Sequence, residues 1–433
     1  MSTSAVELSG ASAVASVEEK LIDSNAPDTH VEEDKPSLLQ SWVVLISGFI
    51  VHMFSFGVVS SFGVYQVEYL VNEFPNAPAT TIAWIGTLMF LGIAFFGLFA
   101  GVVCEKFDPR YACICGVLVV GGSTIAASFC KTPVALLLTQ GVLFGIGAGF
   151  IDIITIIVPT QWFPKHRALA VAIVLSGSGV AGIWISAASK VWFASVGRPW
   201  AMRITGFIML GLGLPCSWLM KPRTKIVREG KLFDFSLLYD IRYALLFIGS
   251  LLSMASFFSP FYYMPSYSVV VLGMDQDFST KLQMVMNLTS LVSRIFVDLI
   301  TIRIGSLNTL LASMLGGTIG IGIFWLPFKN STMLMIAAII YGLAWGFIPT
   351  LHPVVAADLF GSERLGTTLG VIYFGYSVAT LITSPVNGVL LDNIGHKTDY
   401  SSLVIYCVVQ LVIGTLALVA LRIIVSRDFI HRC

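Results

Sequence analysis

The sequence predicts an all-α membrane protein with twelve transmembrane helices, arranged as two pseudo-symmetric six-helix bundles. Three observations predict this fold: an apolar composition, two sets of six apolar segments, and motifs that recur at one spacing. Of the 433 residues, 56% are apolar and only 11% are charged, whereas soluble domains carry about 25% charged residues. Such a chain cannot cover its surface with polar groups in water, and a lipid bilayer removes that requirement.

Each apolar segment is close to the length of about 20 residues that a helix needs to cross a bilayer. The first six segments lie at 42–65, 81–103, 111–129, 134–158, 168–189 and 201–220. The second six lie at 242–265, 280–302, 307–326, 332–357, 367–390 and 401–424. The predicted organisation is therefore an N-terminal tail at 1–41, a bundle at 42–220, a linker at 221–241, a bundle at 242–424 and a C-terminal tail at 425–433.

The charged residues predict that both tails and the linker lie in the cytosol. The first 41 residues contain eight acids and no aromatic residue, a composition typical of a disordered tail. Cytosolic connections of membrane proteins are enriched in Lys and Arg. The central linker and its borders carry six basic residues, namely Lys221, Arg223, Lys225, Arg228, Lys231 and Arg242. An even number of helices then returns the chain to the cytosol.

The two halves repeat at a single offset of 197 residues. Phe163-x-x-x-Arg167 recurs as Phe360-x-x-x-Arg364. The glycines Gly145 and Gly149 recur as Gly342 and Gly346, and Lys106 recurs as Arg303. Two six-helix halves in parallel repeat are typical of transporters whose solute site lies near the midplane between the halves.

The sequence lacks the motifs that are typical of several other functional classes. The formal net charge of +1 gives no reason to expect nucleic-acid binding. The seven cysteines form no CxxC or Cys/His metal pattern, and no HExxH, GxSxG or Walker loop occurs. We therefore expect no enzyme, no cofactor and no metal. A membrane sensor that kept a transporter fold without transport stays open as an alternative.

Two stretches carry a family resemblance. They are Leu138 to Gly149 in the fourth segment, and Trp162-Phe163-Pro164-Lys165-His166-Arg167 with the Ser176-Gly-Ser-Gly179 run that follows it. Over about residues 42–424 the chain resembles the fungal monocarboxylate-transporter-like branch of the major facilitator superfamily. The resemblance implies a monomeric solute carrier that works by alternating access, most simply on a monocarboxylate, by symport with a proton or by uniport.

The loop after the second segment resembles the superfamily's signature between helices 2 and 3. It reads Gly101-Val-Val-Cys-Glu105-Lys106-Phe-Asp-Pro-Arg110. Small residues such as Gly101 let helices approach closely, and Glu105 could pair with a cation or a helix N-terminus of the other half. The resemblance implies a cytosolic gate formed by this loop together with Arg167.

Arg294 is the strongest candidate for solute binding, because it lies in the middle of the eighth segment. A charge at that depth costs at least about 2.5–3.5 kcal/mol and normally faces an aqueous cavity. A guanidinium binds a carboxylate through two parallel hydrogen bonds, and the family carries an arginine at the matching place. A structural ion pair with Asp298, four residues further on the same helix face, is the alternative.

Two positions depart from the pattern of animal family members. Ser60 and Ser290 stand where those members carry a lysine and an acid that serve lactate-like proton symport. These departures leave room for a bulkier organic solute, of the riboflavin or secondary-metabolite kind.

Four further polar residues lie inside apolar segments. Asp152 and Asp298 are candidates to carry a coupled proton, and His52 and Gln140 are candidates to hydrogen-bond the solute. Each could instead be a structural residue bonded to a neighbouring helix. The plasma membrane is the expected location, with the vacuolar membrane as the alternative.

Overall fold

All regular structure in the described part of the chain is helical. The computed structural model describes residues 37–163, 167–224, 234–361 and 365–425. The predicted N-terminal tail lies almost wholly outside these residues, as do much of the linker and nearly all of the C-terminal tail. Twelve helices of membrane-spanning length follow one another, joined by short connections.

We number the twelve helices α1–α12 in chain order. The first bundle contains α1 at Leu38–Glu68, α2 at Ala79–Lys106, α3 at Pro109–Ala127, α4 at Pro133–Trp162, α5 at 167–196 and α6 at 198–219. The second contains α7 at Ile241–Val270, α8 at Gln276–Ile304, α9 at Ser306–Trp325, α10 at Ser331–Phe360, α11 at Leu365–Val389 and α12 at Ser401–Val425. Turns of π-helix extend α1 to Glu73 and α11 to Ile394.

Ten stretches of the described residues are long and apolar enough to cross a membrane. One of them, Leu169–Leu219, contains the two helices α5 and α6. The other helix of the twelve, α8, is long enough at 29 residues but carries five charged residues. These are Asp277, Lys281, Arg294, Asp298 and Arg303. α8 is therefore the one helix of the twelve that is too polar to qualify as a membrane span by composition alone.

Local sequence explains where several helices begin. Asp108, Asp240, Asp275 and Asn330 each precede a helix and accept a hydrogen bond from a backbone N–H of its first turn. Such side chains satisfy N–H groups that have no partner within the helix. Pro109 follows its cap at the first helical position, where the missing N–H costs nothing.

Gly197 turns the chain between α5 and α6 without a loop. Its φ of +76° and ψ of +165° lie in a region that only glycine adopts without strain. The predicted gap at 190–200 is therefore wrong: α5 continues to residue 196, and Pro199 lies in the first turn of α6.

The repeated glycines make the same helix contact in both halves. A Cβ on Gly145 or Gly149 of α4 would meet the backbone of α2. A Cβ on Gly342 or Gly346 of α10 would meet α8, at the Ser290 carbonyl in the case of Gly346. Because α2 corresponds to α8 and α4 to α10, the 197-residue repeat is a structural repeat as well.

Two seams join the bundles: α2 packs against α11, and α5 packs against α8. We call the face that carries the start of α1 the inner face and the opposite face the outer face. Each seam has a polar contact at the outer face. Asp392 of the α11 extension accepts hydrogen bonds from Ala79 and Thr80 of α2, and Lys190 of α5 forms an ion pair with Asp277 of α8.

We predict that Gly346→Val destabilises the second bundle. The added side chain would collide with Ser293 and with the Ser290 backbone, and such overpacking costs about 1–3 kcal/mol. The thermal unfolding temperature of the purified protein should fall. Gly316→Val is the matched control, because nothing lies within 4 Å of its Cβ position. An equal loss of stability in both variants would contradict the packing assignment.

Candidate functional site

Buried polar side chains from both bundles form a layer at one depth, which we call the central belt. Each lies about 8 to 14 residues from the inner end of its helix, or roughly 12–21 Å along the helix axis. All are less than a tenth exposed. The belt residues are His52 on α1, Asp152 on α4, Ser178 on α5, Arg294 on α8, His352 on α10 and Tyr376 on α11.

In the first bundle, the belt joins α1 to α4. The Nδ1 atom of His52 lies 3.2 Å from Thr155 Oγ1 and 3.4 Å from Asp152 Oδ1. The imidazole also stacks on Phe56, with 5.8 Å between ring centroids. The two predicted residues His52 and Asp152 are thus brought together. They form a buried imidazole–carboxylate contact, in which Asp152 Oδ1 has no hydrogen-bond partner among the described atoms.

Arg294 joins α8 to α5 across the seam between the bundles. Its Nη1 donates to the carbonyl oxygen of Leu175 and, at 2.5 Å, to Ser178 Oγ. The guanidinium is 5% exposed, and its Nε has no hydrogen-bond partner among the described atoms. No described carboxylate lies within ion-pair distance of it. The alternative pairing with Asp298 concerns a side chain outside those that the structure describes.

Ser60 meets Arg294 through a shared partner. Its hydroxyl donates to the carbonyl oxygen of Ser178 at 3.2 Å, and Ser178 Oγ accepts from Arg294. The Ser60 carbonyl in turn accepts from Gln283 Nε2 at 2.5 Å and from Asn287 Nδ2 at 3.3 Å, both on α8. Ser60 therefore contributes to the contact between the bundles at the edge of the belt.

In the second bundle, His352 links three helices. Its Nδ1 lies 2.5 Å from the Tyr376 hydroxyl and its Nε2 lies 3.4 Å from Ser253 Oγ on α7. Position 352 corresponds to Thr155 at the 197-residue offset, so each bundle has a histidine at the same interhelical contact, carried by opposite helices. His352 and Tyr376 are absent from the predicted site, although the repeat offset could have found the histidine.

An aromatic layer lies on the outer side of the belt and joins the bundles. Phe90 of α2 packs on Phe258 of α7 with centroids 4.4 Å apart, and Phe62 of α1 packs on Tyr262 at 5.1 Å. Trp345 of α10 packs on Phe258 at 4.8 Å. Edge-to-face aromatic pairs are stabilising.

Gln140 does not join the belt. Its Oε1 accepts a 2.6 Å hydrogen bond from the Tyr69 hydroxyl, near the outer end of α4. Arg198 lies over the Tyr69 ring at 5.9 Å and donates to Glu73 at 2.5 Å. The surroundings of Gln140 are a polar cluster internal to the first bundle, and no pattern along the chain predicts these distant partners.

The predicted gate is only partly described. The side chains of Glu105 and Arg167 lie outside the described set, and Lys106 is exposed. Arg110 binds Asp108 through Nη2 at 2.7 Å and lies over the Trp218 ring. The acid that pairs with Arg110 is thus the cap of its own helix, and the gate role of Arg110 stays a prediction. The expected close helix approach at Gly101 is also wrong, since nothing lies within 4 Å of its Cβ position.

A crevice opens on the α2–α11 seam. It has a volume of about 350 Å³ and lies between α2, α4 and α11. Phe95 and Phe96 of α2 and Phe374 and Leu381 of α11 line it, and Ser377 supplies its one polar side chain. Because nearly all of the lining is apolar, the crevice would suit a hydrocarbon group.

Comparison with known proteins identifies the family. The family described as Major Facilitator Superfamily matches residues 44–375 and 287–428, which together cover most of the chain. The chain belongs to the Major Facilitator Superfamily. It is therefore a multi-pass membrane protein of a transporter family. The sequence-based prediction of the superfamily is confirmed, whereas the relatives reported below are not named as monocarboxylate carriers.

Similar superfamily proteins come from fungi. The agnestins efflux protein AgnL12 of Paecilomyces divaricatus is 30% identical, and the match covers 82% of each chain. The MFS-type transporter pynF of Aspergillus niger is 29% identical over 83% of each chain. The aspyridones efflux protein apdF of Emericella nidulans is 28% identical over 82% of this chain and 73% of the relative.

A solved superfamily structure has the same fold. A mutant form of the nucleoside transporter NupG superimposes with a TM-score of 0.69 at 14% sequence identity. The match covers 88% of this chain and 99% of that transporter. At this identity the similarity establishes the helical architecture alone.

Proposed function

We propose that the protein exports a bulky, largely uncharged organic metabolite by alternating access, with the solute bound at the central belt. One observation carries the proposal. Arg294 is held by the Leu175 carbonyl and by Ser178 of the other bundle. Two of its bonds are thereby used within the protein, and the groups around it are hydroxyls, imidazoles and aromatic rings. Such a site favours a ring system with hydroxyl or carbonyl groups over a small anion.

The fungal relatives favour the same choice. Two of them are named as efflux proteins, one for agnestins and one for aspyridones. Ser60, in place of the lysine of animal family members, is engaged with Ser178 and leaves no second cation near Arg294. Both observations support the bulkier solute over a lactate-like one.

A monocarboxylate, or a metabolite that carries a carboxylate, is the second candidate. The free Nε of Arg294 supports it, because a carboxylate could accept from Nε and from one Nη in parallel. Binding would then require the guanidinium to leave Leu175 or Ser178. Competition between protein acceptors and the anion would weaken the site for a small carboxylate.

The His52–Asp152 pair is proposed to couple transport to protons. The two side chains are buried together, with Nδ1 and Oδ1 3.4 Å apart. A proton bound there would change the charge of the belt next to the solute, and ionisable groups at this depth commonly form proton relays. Asp298 remains a second candidate on the strength of its position in α8 alone.

The proposed setting is the plasma membrane, with the inner face in the cytosol and the protein acting as a monomer. The excess of Lys and Arg in the central linker supports this orientation. Efflux to the outside is the use that the named relatives suggest for such a setting.

The proposed function is tested by solute flux in reconstituted vesicles. We expect flux of riboflavin or of hydroxylated aromatic metabolites, and little flux of lactate or pyruvate, because Leu175 and Ser178 already engage the Arg294 guanidinium. Radiolabelled or fluorescent solute is measured against empty vesicles. Flux of lactate alone would favour the monocarboxylate alternative, and binding without any flux would favour a sensor.

Replacing Arg294 by Ala should reduce flux of the accepted solute at least about tenfold. Hydrogen bonds to charged groups contribute about 1.5–3 kcal/mol, and about 1.4 kcal/mol is a factor of ten. Arg303→Ala is the matched control, since Arg303 is exposed at the inner end of the same helix. Both variants should reach the membrane in equal amounts. Undiminished flux in Arg294→Ala would remove Arg294 from the site.

Asp152→Asn should make flux independent of an imposed proton gradient while leaving the solute-binding affinity nearly unchanged. The amide keeps the shape of the carboxylate and cannot carry the proton. Flux is measured with and without a pH difference across the vesicle membrane. Asp240→Asn serves as the control, because asparagine is as good a helix cap as aspartate. A gradient response that survives in Asp152→Asn would assign the proton to another group.

A further inference from the structure

The outer ends of α2 and α11 are joined by a group of contacts that we call the outer clasp. It consists of Asp392 and Lys397 on the second bundle and of Ala77, Ala79 and Thr80 on the first. The Asp392 carboxylate accepts from the backbone N–H groups of Ala79 and Thr80, both at 2.9 Å, and from the Thr80 hydroxyl at 2.7 Å. These residues begin α2, where backbone N–H groups lack partners within the helix.

Lys397 holds the same turn from the other side. Its Nζ donates to the carbonyl oxygen of Ala77 at 2.8 Å. The acid and the base of one bundle thus bind three residues of the other, Ala77, Ala79 and Thr80, and each charge faces backbone groups of opposite polarity. Hydrogen bonds to charged groups are stronger than those between neutral groups.

The backbone that presents Lys397 is strained. His396 and Lys397 have φ values of +47° and +63°, and they are the non-glycine residues with positive φ in the described chain. Such conformations are uncommon outside glycine and tend to be retained at switch regions, where surrounding contacts hold them. Here the strained turn brings the Lys397 side chain to the chain segment just before α2. The strain therefore coincides with a contact between the bundles.

The fit of the two helices beside the clasp is close. A Cβ on Gly388 of α11 would collide with the backbone of Thr80. The glycine therefore lets α11 reach the first turn of α2, one turn before Asp392 in the chain. The close approach fixes the register that places Asp392 opposite the N–H groups.

Polar contacts tie the outer face on both seams. Besides the clasp on the α2–α11 seam, Lys190 and Asp277 pair at the outer end of the α5–α8 seam. The described conformation is therefore one in which the bundles are tied at the outer face.

We infer that the outer clasp is the lock of the outer gate. It stabilises the conformation that loads solute from the inner face, and it must break once in each transport cycle to expose the central belt to the outside. Its contacts are few and partly exposed to water, so they can open reversibly. The inference goes beyond the proposed function because it does not depend on which solute is carried.

The test uses a cysteine that only an opened outer gate would expose. Thr280→Cys is a small change on α8, at a side chain that is 5% exposed and lies against Val64 and Val67 of α1. The purified full-length protein is labelled with a bulky, water-soluble maleimide, and labelling of the protein that retains Thr280 is subtracted as the background of the native cysteines. Adding Asp392→Ala should raise the labelling rate about tenfold, the factor that corresponds to about 1.4 kcal/mol.

Asp399→Ala is the matched control. Asp399 lies in the same outer loop and caps its own helix α12 through Ser401, so its loss should leave the labelling rate unchanged. An unchanged rate in Asp392→Ala, or an equal increase in Asp399→Ala, would overturn the inference. Because no solute is needed, a failed flux assay and a failed lock assay remain distinguishable.

A second variant decides the outcome if Asp392→Ala is not recovered as folded protein. Lys397→Asn removes the amine, and asparagine tolerates the left-handed backbone better than most residues. We expect it to raise the labelling rate by a smaller factor, since one hydrogen bond of the clasp is lost. A rate equal to that of the parent would count against the lock.

Discussion

The need of a buried guanidinium for hydrogen-bond acceptors organises the centre of this molecule. Arg294 lies near the middle of α8, the most polar helix, and is buried. Its hydrogen-bond acceptors belong to α5 of the other bundle. Ser60 is then drawn to the same serine from α1. A single charge thus ties three helices together across the pseudo-symmetry axis. The remaining polar groups of the belt are arranged at the same level around that tie.

The composition of the belt supports the proposed preference for a bulky, largely uncharged solute. Its groups are mostly neutral donors and acceptors, among them His352 and Tyr376, and these can exchange partners at little energetic cost. The aromatic layer supplies surface without a demand for charge. Selectivity in such a site depends on the shape of the solute and on the number of hydroxyl groups, more than on net charge.

The fold was predictable from sequence because its signals are local or periodic. Apolar segments fix the helices, and the 197-residue offset fixes the relation between the halves, which the packing of Gly145 and Gly342 reproduces. The site was only partly predictable. His52 and Asp152 were recognisable as polar residues within apolar helices, but the partner of Gln140 lies on another helix, and no pattern along the chain encodes that distance. The local partner of Arg110 is the cap residue Asp108, two positions before it in the chain.

The antiparallel packing of α2 and α11 has a mechanical consequence. The positively polarised start of each helix lies beside the tail of its neighbour, so one seam carries two such ends on opposite sides of the membrane. Asp392 occupies the first, and Glu105, by its place in the last turn of α2, is the acid nearest in sequence to the second. In an antiparallel pair that pivots near its middle, closer contact between the helices at one end is accompanied by their separation at the other end. Under the proposed cycle, the contacts of Asp392, far from any solute, would set how long the transporter rests in the described conformation.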